Sequence, residues 1–237
     1  MPDAPFRLSL VIPCYQELHR MEKCVAGIEA ALALVPGKHE VLLVDDGSTD
    51  GTADFAESLL RAIPNAQVVR ERHRGKGAAI RAGVAASQGE IVFIADADWS
   101  MPPLQILRFV PLEDGPQGLL IASRERPDSQ RHGEPISRHL LGRVFNTLVR
   151  HTLLPGIQDS QCGFKCLPGD LARSIFCDMQ TEGWAFDVEL IKRVQQSGHS
   201  VTEVGIDWNY DPDSRLNPTR DAVKMAWEVL KVWRQVR

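Results

Sequence analysis

The stretch Ile91-Val-Phe-Ile-Ala-Asp-Ala-Asp-Trp-Ser100 decides the fold. An uninterrupted apolar run leads into two carboxylates, Asp96 and Asp98, one residue apart. An apolar run of this length, bounded by Gly89 and a turn, reads as a buried strand. Its end would carry both charges into the crevice where open α/β sheets bind ligands. Two carboxylates this close repel, so a cation is expected between them. A hard divalent ion such as Mg²⁺ takes a few carboxylates together with substrate phosphates.

Working outward, the preceding segments repeat the pattern of strand, turn and helix. Leu8-Ser-Leu-Val-Ile12 reads as a strand stopped by Pro13, with Pro13-Cys-Tyr-Gln-Glu17 as loop. Residues 18–34 have helical spacing, and Pro36-Gly37 ends them. Val41-Leu-Leu-Val44 is a second buried strand that runs into Asp45-Asp46-Gly47-Ser48. Thr49 or Asp50 can cap the next helix, which carries Phe55, Leu59 and Leu60. Gln67-Val-Val69 is a third strand, followed by Arg70-Glu-Arg-His-Arg-Gly-Lys-Gly77 and an alanine-rich helix from Ala78 to Ala86. Alternation of this kind predicts one α/β domain with a mostly parallel sheet and its strand ends on one rim.

That rim then gathers Tyr15 and Glu17, Asp45 and Asp46, the Gly75-Lys76-Gly77 loop, and Asp96 with Asp98. Each alone has an ordinary reading as a turn or a helix cap. Together their chemistry is complementary. A carboxylate can accept from a base N–H or from ribose hydroxyls. Backbone N–H groups and Lys76 at a helix N-terminus can hold phosphate oxygens, and the Asp-x-Asp pair can hold a metal that bridges a diphosphate. Neither a Walker loop nor a dinucleotide fingerprint is present.

Composition excludes other classes. The chain has 237 residues, 43% hydrophobic and 24% charged, as in a soluble globular protein. A net charge of −4 gives no general attraction to nucleic acid or anionic lipid, so any basic function must be local. No apolar stretch approaches the ~20 residues that span a bilayer. The segment Met1-Pro-Asp-Ala-Pro-Phe-Arg7 lacks the features of a signal peptide, which favours the cytosol. Five cysteines without a C-x-x-C do not read as a disulfide framework. Cys162 and Cys166 lack the second Cys/His pair that a zinc site needs, so buried thiols are expected.

These motifs resemble family 2 glycosyltransferases of the GT-A fold, a Rossmann-like sheet flanked by helices. The matching pieces are Val-Ile-Pro-Cys-Tyr-Gln-Glu, Leu-Val-Asp-Asp-Gly-Ser-Thr-Asp-Gly-Thr, Gly-Lys-Gly-Ala-Ala-Ile-Arg-Ala-Gly and Ala-Asp-Ala-Asp. Farther on, Ala122-Ser-Arg124, Asp159-Ser-Gln-Cys-Gly-Phe-Lys165 and Gly183-Trp-Ala-Phe-Asp-Val-Glu-Leu190 resemble the polyprenyl (dolichyl) phosphate sugar synthases. Within these, the β-glucosyl branch is nearer than the mannosyl one. The resemblance implies a single domain over 1–237, with a nucleotide-sugar half at 1–100 and an acceptor half at 101–237. It implies that Pro13, Tyr15, Glu17 and Asp46 contact the nucleoside, with Asp45 in support, and that Lys76 faces the diphosphate. Asp96 and Asp98 would bind Mg²⁺ or Mn²⁺ and the sugar nucleotide, and Ser123, Arg124 and Arg138 belong to the acceptor side. The donor would be a UDP-hexose, with GDP-mannose as the alternative. The acceptor would be a lipid phosphate at a membrane surface. The sequence departs from the family at Ser100, where many members carry a metal-binding Gln, and the membrane anchor of many relatives is not apparent.

In the second half, Leu140, Leu141, Val144, Phe145, Leu148 and Val149 recur at helical spacing between Ser137 and Leu154, punctuated by Arg138, Arg143, Arg150 and His151. This helix either faces the core or lies at a membrane surface. A last helix, Thr219 to Arg237, sets Val223, Trp227, Leu230 and Trp233 among Lys224, Lys231, Arg234 and Arg237. A hydroxyl acceptor would require Asp159 or Asp187 as general base. A lipid phosphate is already anionic and needs cations instead, and arginine forks match its oxygens. Asp159 and Asp187 would then orient arginines, Lys165 or the substrate, which is the reading favoured here. Asp207-Trp208 and Ser214-Arg215, after a strand from Val201 to Ile206, are expected as a mobile segment, with Arg215 near the diphosphate. The alternatives are a same-fold enzyme using a soluble hydroxyl acceptor and a nucleotide-binding protein without transfer activity.

Overall fold

The computed structural model describes residues 5–110, 115–211 and 218–235. The strands are β1 (Phe6–Cys14), β2 (His39–Asp45), β3 (Ala66–Arg70), β4 (Gly89–Ile94), β5 (Leu119–Ser123), β6 (Gln130–His132), β7 (Lys165–Pro168), β8 (Val201–Gly205) and β9 (Asp207–Asn209). The helices are α1 (Met21–Leu32), α2 (Thr52–Leu60), α3 (Lys76–Ala86), α4 (Ile136–Thr152), α5 (Gly169–Asp178), α6 (Phe186–Gln196) and α7 (Pro218–Gln235). Seven strands form one sheet in the order β3-β2-β1-β4-β7-β5-β8, and β6 pairs with β9 in a small second sheet. No helix among the described residues is long and apolar enough to cross a membrane.

Alternate residues of β1 feed opposite layers. Leu8, Leu10 and Ile12 pack under α1 and α2, whereas Val11 meets the layer formed by α3, α5 and α6. Both faces are covered, which explains why the central strands read as continuous apolar runs. Small residues bring α3 onto the sheet. At Gly83 a Cβ would run into the side chains of Val11 and Val44.

β1–β2, β2–β3, β1–β4 and β5–β8 pair in parallel, so the C-terminal ends of β1, β2, β3 and β4 share one rim. β7 runs antiparallel between β4 and β5, with Ile94 and Ile121 both opposite Lys165. Its direction reverses the usual logic. The loop entering β7, rather than the one leaving it, arrives at the functional rim.

Two sequence expectations need correction. Pro13 does not stop β1, which continues to Cys14 in register with Asp45. The ladder to β4 ends at Val11↔Ile94, so Pro13 lies where β1 is bordered by β2 alone and a missing N–H is tolerated. Asp207-Trp208 is not a mobile segment. It forms β9, pairs with β6, and buries Trp208. Ser214 and Arg215 lie outside the described residues.

The turn after Asp98 is anchored by Trp99. This residue takes φ 47°, in the left-handed region. Its indole N–H donates to the Cys24 carbonyl of α1 at 3.0 Å. The ring fills the space where a Cβ on Gly27 would stand. Gly27→Ala therefore forces overpacking beneath the Asp-x-Asp turn. A loss of about 1–3 kcal/mol is expected in urea unfolding, with Gly142→Ala, inside the helix α4 where a Cβ meets nothing, as a control that is not destabilised and gains up to about 1 kcal/mol.

Candidate active site

The end of the rim formed by β1, β2 and the loop after β3 is folded by buried carboxylates. Asp46 Oδ1 accepts the Arg74 N–H at 2.9 Å, and Oδ2 accepts the Gly75 N–H at 2.9 Å. His73 Nδ1 donates to the same Oδ2 at 2.9 Å. Asp45 Oδ2 accepts the Ser48 N–H at 3.0 Å. Both aspartates are buried, so the groups expected at the nucleoside shape the loops around it. Pro13 is likewise buried in β1. Tyr15 and Glu17 remain at the surface of the rim. Tyr15 stacks on His73, and Glu17 accepts from Arg20 Nε at 2.6 Å and Nη2 at 3.1 Å. Arg20 also holds Asp211 at 3.0 Å, tying the chain after β9 to this corner.

Lys76 opens α3 and reaches Asp96 Oδ1 at 2.5 Å. Its ammonium also lies 5.3 Å from the Trp184 ring centroid and 5.9 Å from that of Phe186. Burial works against this charge, but Asp96, and then Asp187, hold it above the ordinary lysine range. The Asp96 carboxylate lies against Gly163, where any Cβ would collide with it. Asp98 Oδ1 accepts the Ser100 N–H at 2.9 Å. Burial, and then the charge of Asp96, push the Asp98 carboxyl above its usual range. That is the condition a bound cation would relieve. Among the described residues no cluster of three His, Cys, Asp or Glu could cage a metal. A hard cation here would therefore complete its shell from phosphate oxygens and water, as Mg²⁺ commonly does. Ser100 is buried, and its backbone, not its hydroxyl, meets Asp98.

The side of the rim around β5 and β7 is built on two ion pairs. Arg124, just past β5, meets Asp159 through Nε at 2.7 Å and Nη2 at 2.9 Å, while its own backbone N–H donates to Asp159 at 3.0 Å. Its guanidinium also lies 5.3 Å from the Trp208 ring centroid. Burial opposes both charges, yet each holds the other: Arg124 is raised and Asp159 falls well below the carboxylate range. Glu203 accepts the backbone N–H groups of Gln158 and Asp159, and Asn146 of α4 donates to Asp159 at 3.4 Å. The second pair is Lys165–Asp187 at 2.5 Å, both buried. Lys165 Nζ also donates to the Cys162 carbonyl, so it supports the wall of the site rather than facing solvent. Burial raises the Asp187 carboxyl, with Lys165 and then Lys76 opposing. Ser123 is fully buried and shapes the turn after β5, its carbonyl accepting from Ser129 Oγ at 2.7 Å. The side chain of Arg138 and all of Arg215 lie outside the described residues.

Residues 9–176 match the family described as "Glycosyl transferase family 2". The chain belongs to that family. Its sequence is 32% identical to the human dolichyl-phosphate beta-glucosyltransferase over 96% of this chain and 75% of the relative. It is 28% identical to the Dictyostelium discoideum protein of the same name over 95% and 73%. Among solved structures, the glycosyltransferase is similar to glucosyl-3-phosphoglycerate synthase from Mycobacterium tuberculosis in complex with Mn²⁺, UDP-glucose and glycerol 3-phosphate. That likeness has a TM-score of 0.68 at 20% identity and covers 98% of this chain and 80% of the other. It shows the GT-A fold.

Several residues of the glycosyltransferase's rim gave no sequence signal of their own. His73 reads as one basic-run residue among four. Gly163, Trp184 and Phe186 sit inside recognisable stretches, yet only the fold places them against Asp96 and Lys76. Asn146 and Glu228 are ordinary polar residues of amphipathic helices. Glu228 of α7 accepts the Ala185 N–H at 3.0 Å at the start of α6, two residues before Asp187.

The Arg124–Asp159 pair can be tested through stability. The folded pKa of Asp159 lies below its unfolded value. The stability it contributes is therefore present above about pH 4 and is lost as pH falls through the depressed folded value. Asp159→Asn leaves a buried guanidinium facing an amide and is expected to cost about 3–5 kcal/mol near neutral pH. Denaturant unfolding at a series of pH values should also show a flatter acid limb in the variant than in wild type.

Proposed function

We propose that this glycosyltransferase moves glucose from UDP-glucose to a polyprenyl phosphate such as dolichyl phosphate, with inversion at the anomeric carbon and with Mg²⁺ or Mn²⁺. The observation that carries the choice of acceptor is the state of the two candidate bases. Asp159 is fully buried and engaged by Arg124. Asp187 is buried against the Lys165 ammonium. A hydroxyl nucleophile needs a carboxylate able to take its proton. A phosphate monoester arrives already anionic and needs a cation to hold it. Arg124, its fork oriented by Asp159, suits that task.

In this reading an acceptor phosphate oxygen attacks the anomeric carbon. The bond from that carbon to the donor diphosphate breaks, and its electron pair leaves with UDP. Lys76 and the α3 N-terminus stand where negative charge grows on the diphosphate. Asp96 and Asp98 would hold the divalent cation, which when bound supplies further neutralisation of the leaving group. Tyr15 and Glu17 lie at the nucleoside end.

The acceptor's tail calls for a lipid surface, and α7 offers a suitable face. Val229 and Val232 are buried in the core, whereas Trp227 and Leu230 are exposed beside Lys231 and Arg234. Tryptophan with flanking basic residues suits the headgroup region of a bilayer. These features support a peripheral contact with membrane, while α4 buries Asn146 and Val149 and exposes Arg143 and Arg150.

The test is radiolabelled UDP-glucose with polyprenyl phosphate in vesicles and Mn²⁺ or Mg²⁺. A glycolipid product is expected, and Asp98→Ala should lower its formation on the order of a hundredfold or more. No glycolipid from any common nucleotide sugar would contradict the lipid-phosphate acceptor. Near-normal transfer by Asp98→Ala would contradict the metal assignment.

A further inference from the structure

His73 lies between β3 and α3, in the loop whose backbone Asp46 holds. Its ring stacks on Tyr15 with centroids 4.1 Å apart and planes 17° apart. Nδ1 lies 2.9 Å from Asp46 Oδ2 and 3.2 Å from the Asp46 carbonyl. Both partners accept only, so Nδ1 carries the proton, and the orientation of the ring is fixed from behind. The same carboxylate takes the N–H groups of Arg74 and Gly75. One buried group therefore sets both the ring and the loop that leads into Lys76.

A histidine required only to cover Asp46 would be expected to pack down over it. Instead its side chain is 55% exposed, and Tyr15 is 36% exposed. The pair leaves flat π surface at the rim, next to Glu17 and upstream of the phosphate-facing loop. Bases stack on such platforms, and each stack contributes about 1–3 kcal/mol.

We propose that His73 is a nucleobase-stacking residue which, with Tyr15, receives the base of the donor, its ring held in place by Asp46. This rests on the nucleotide-sugar reading above and adds a base-binding residue to it. The stack contributes to binding of the nucleoside and leaves the diphosphate to Lys76 and the carboxylate pair.

Isothermal titration with UDP and Mn²⁺ tests this on wild type, His73→Ala and His73→Phe, with pyrophosphate and Mn²⁺ as the second ligand. The expected result is UDP affinity about five- to a hundredfold weaker in His73→Ala, largely restored in His73→Phe, and unchanged pyrophosphate affinity in all three. Equal or tighter UDP binding by His73→Ala would overturn the proposal. So would a parallel loss of pyrophosphate binding, which would reduce His73 to a builder of the loop. If wild type binds pyrophosphate but no nucleotide, the nucleotide-sugar reading fails along with it.

Discussion

The ion pair between Lys76 and Asp96, 2.5 Å long, joins the start of α3 to the turn after β4. Lys76 starts α3, and Asp96 follows β4. Neither strand end alone would hold its charge in a half-buried crevice. Burial penalises both ions, and each lowers that penalty for the other. Burial and the charge of Asp96 raise the Asp98 carboxyl despite Lys76 and Arg20, and a further positive charge at this spot would relieve it. Glycines make the approach possible. Gly163 leaves room for the Asp96 carboxylate, and Gly75 and Gly77 let the chain at Thr181–Gly183 lie directly on the phosphate-facing loop.

The placement of Asp159 and Gly163 depends on the direction of β7. Because this strand runs opposite to β4 and β5, residues 159–164 reach the rim that already holds the ends of β1, β2 and β4. Asp159 thereby meets Arg124, and Gly163 meets Asp96. A parallel β7 would send that loop to the far edge of the sheet. The reversal thus brings Asp159, the partner of Arg124, and Gly163, the residue against Asp96, to one rim without a long connection.

The first hundred residues were legible because their strands are buried on both faces and end in charged turns. Periodicity and punctuation agree there, and the βα order follows. Pro13 misled the reading because a proline's effect depends on which neighbour its missing N–H would face, and that is a property of the sheet. β7 offers only Lys165-Cys-Leu-Pro168, too short for a period, and its fully buried lysine would argue against a core strand. Asp207-Trp208 looked like loop because its pairing partner, β6, is a three-residue strand from far earlier in the chain. Candidate site residues were found by chemical type, but their assignment between ligand and scaffold was not legible. Asp45, Asp46, Ser123 and Lys165 are buried and bonded within the chain, whereas His73, which carried no signal, stands exposed at the rim beside Tyr15.

In the proposed donor site the carboxylate pair and a divalent cation together anchor the diphosphate, with Lys76 holding Asp96 in place. The most direct measurement is the affinity for UDP-glucose with Mn²⁺ and with EDTA, in wild type and in Asp98→Asn. Binding at least about tenfold tighter with Mn²⁺ is expected in wild type, with no such difference in the variant. Equal affinity with and without the metal in wild type would contradict it.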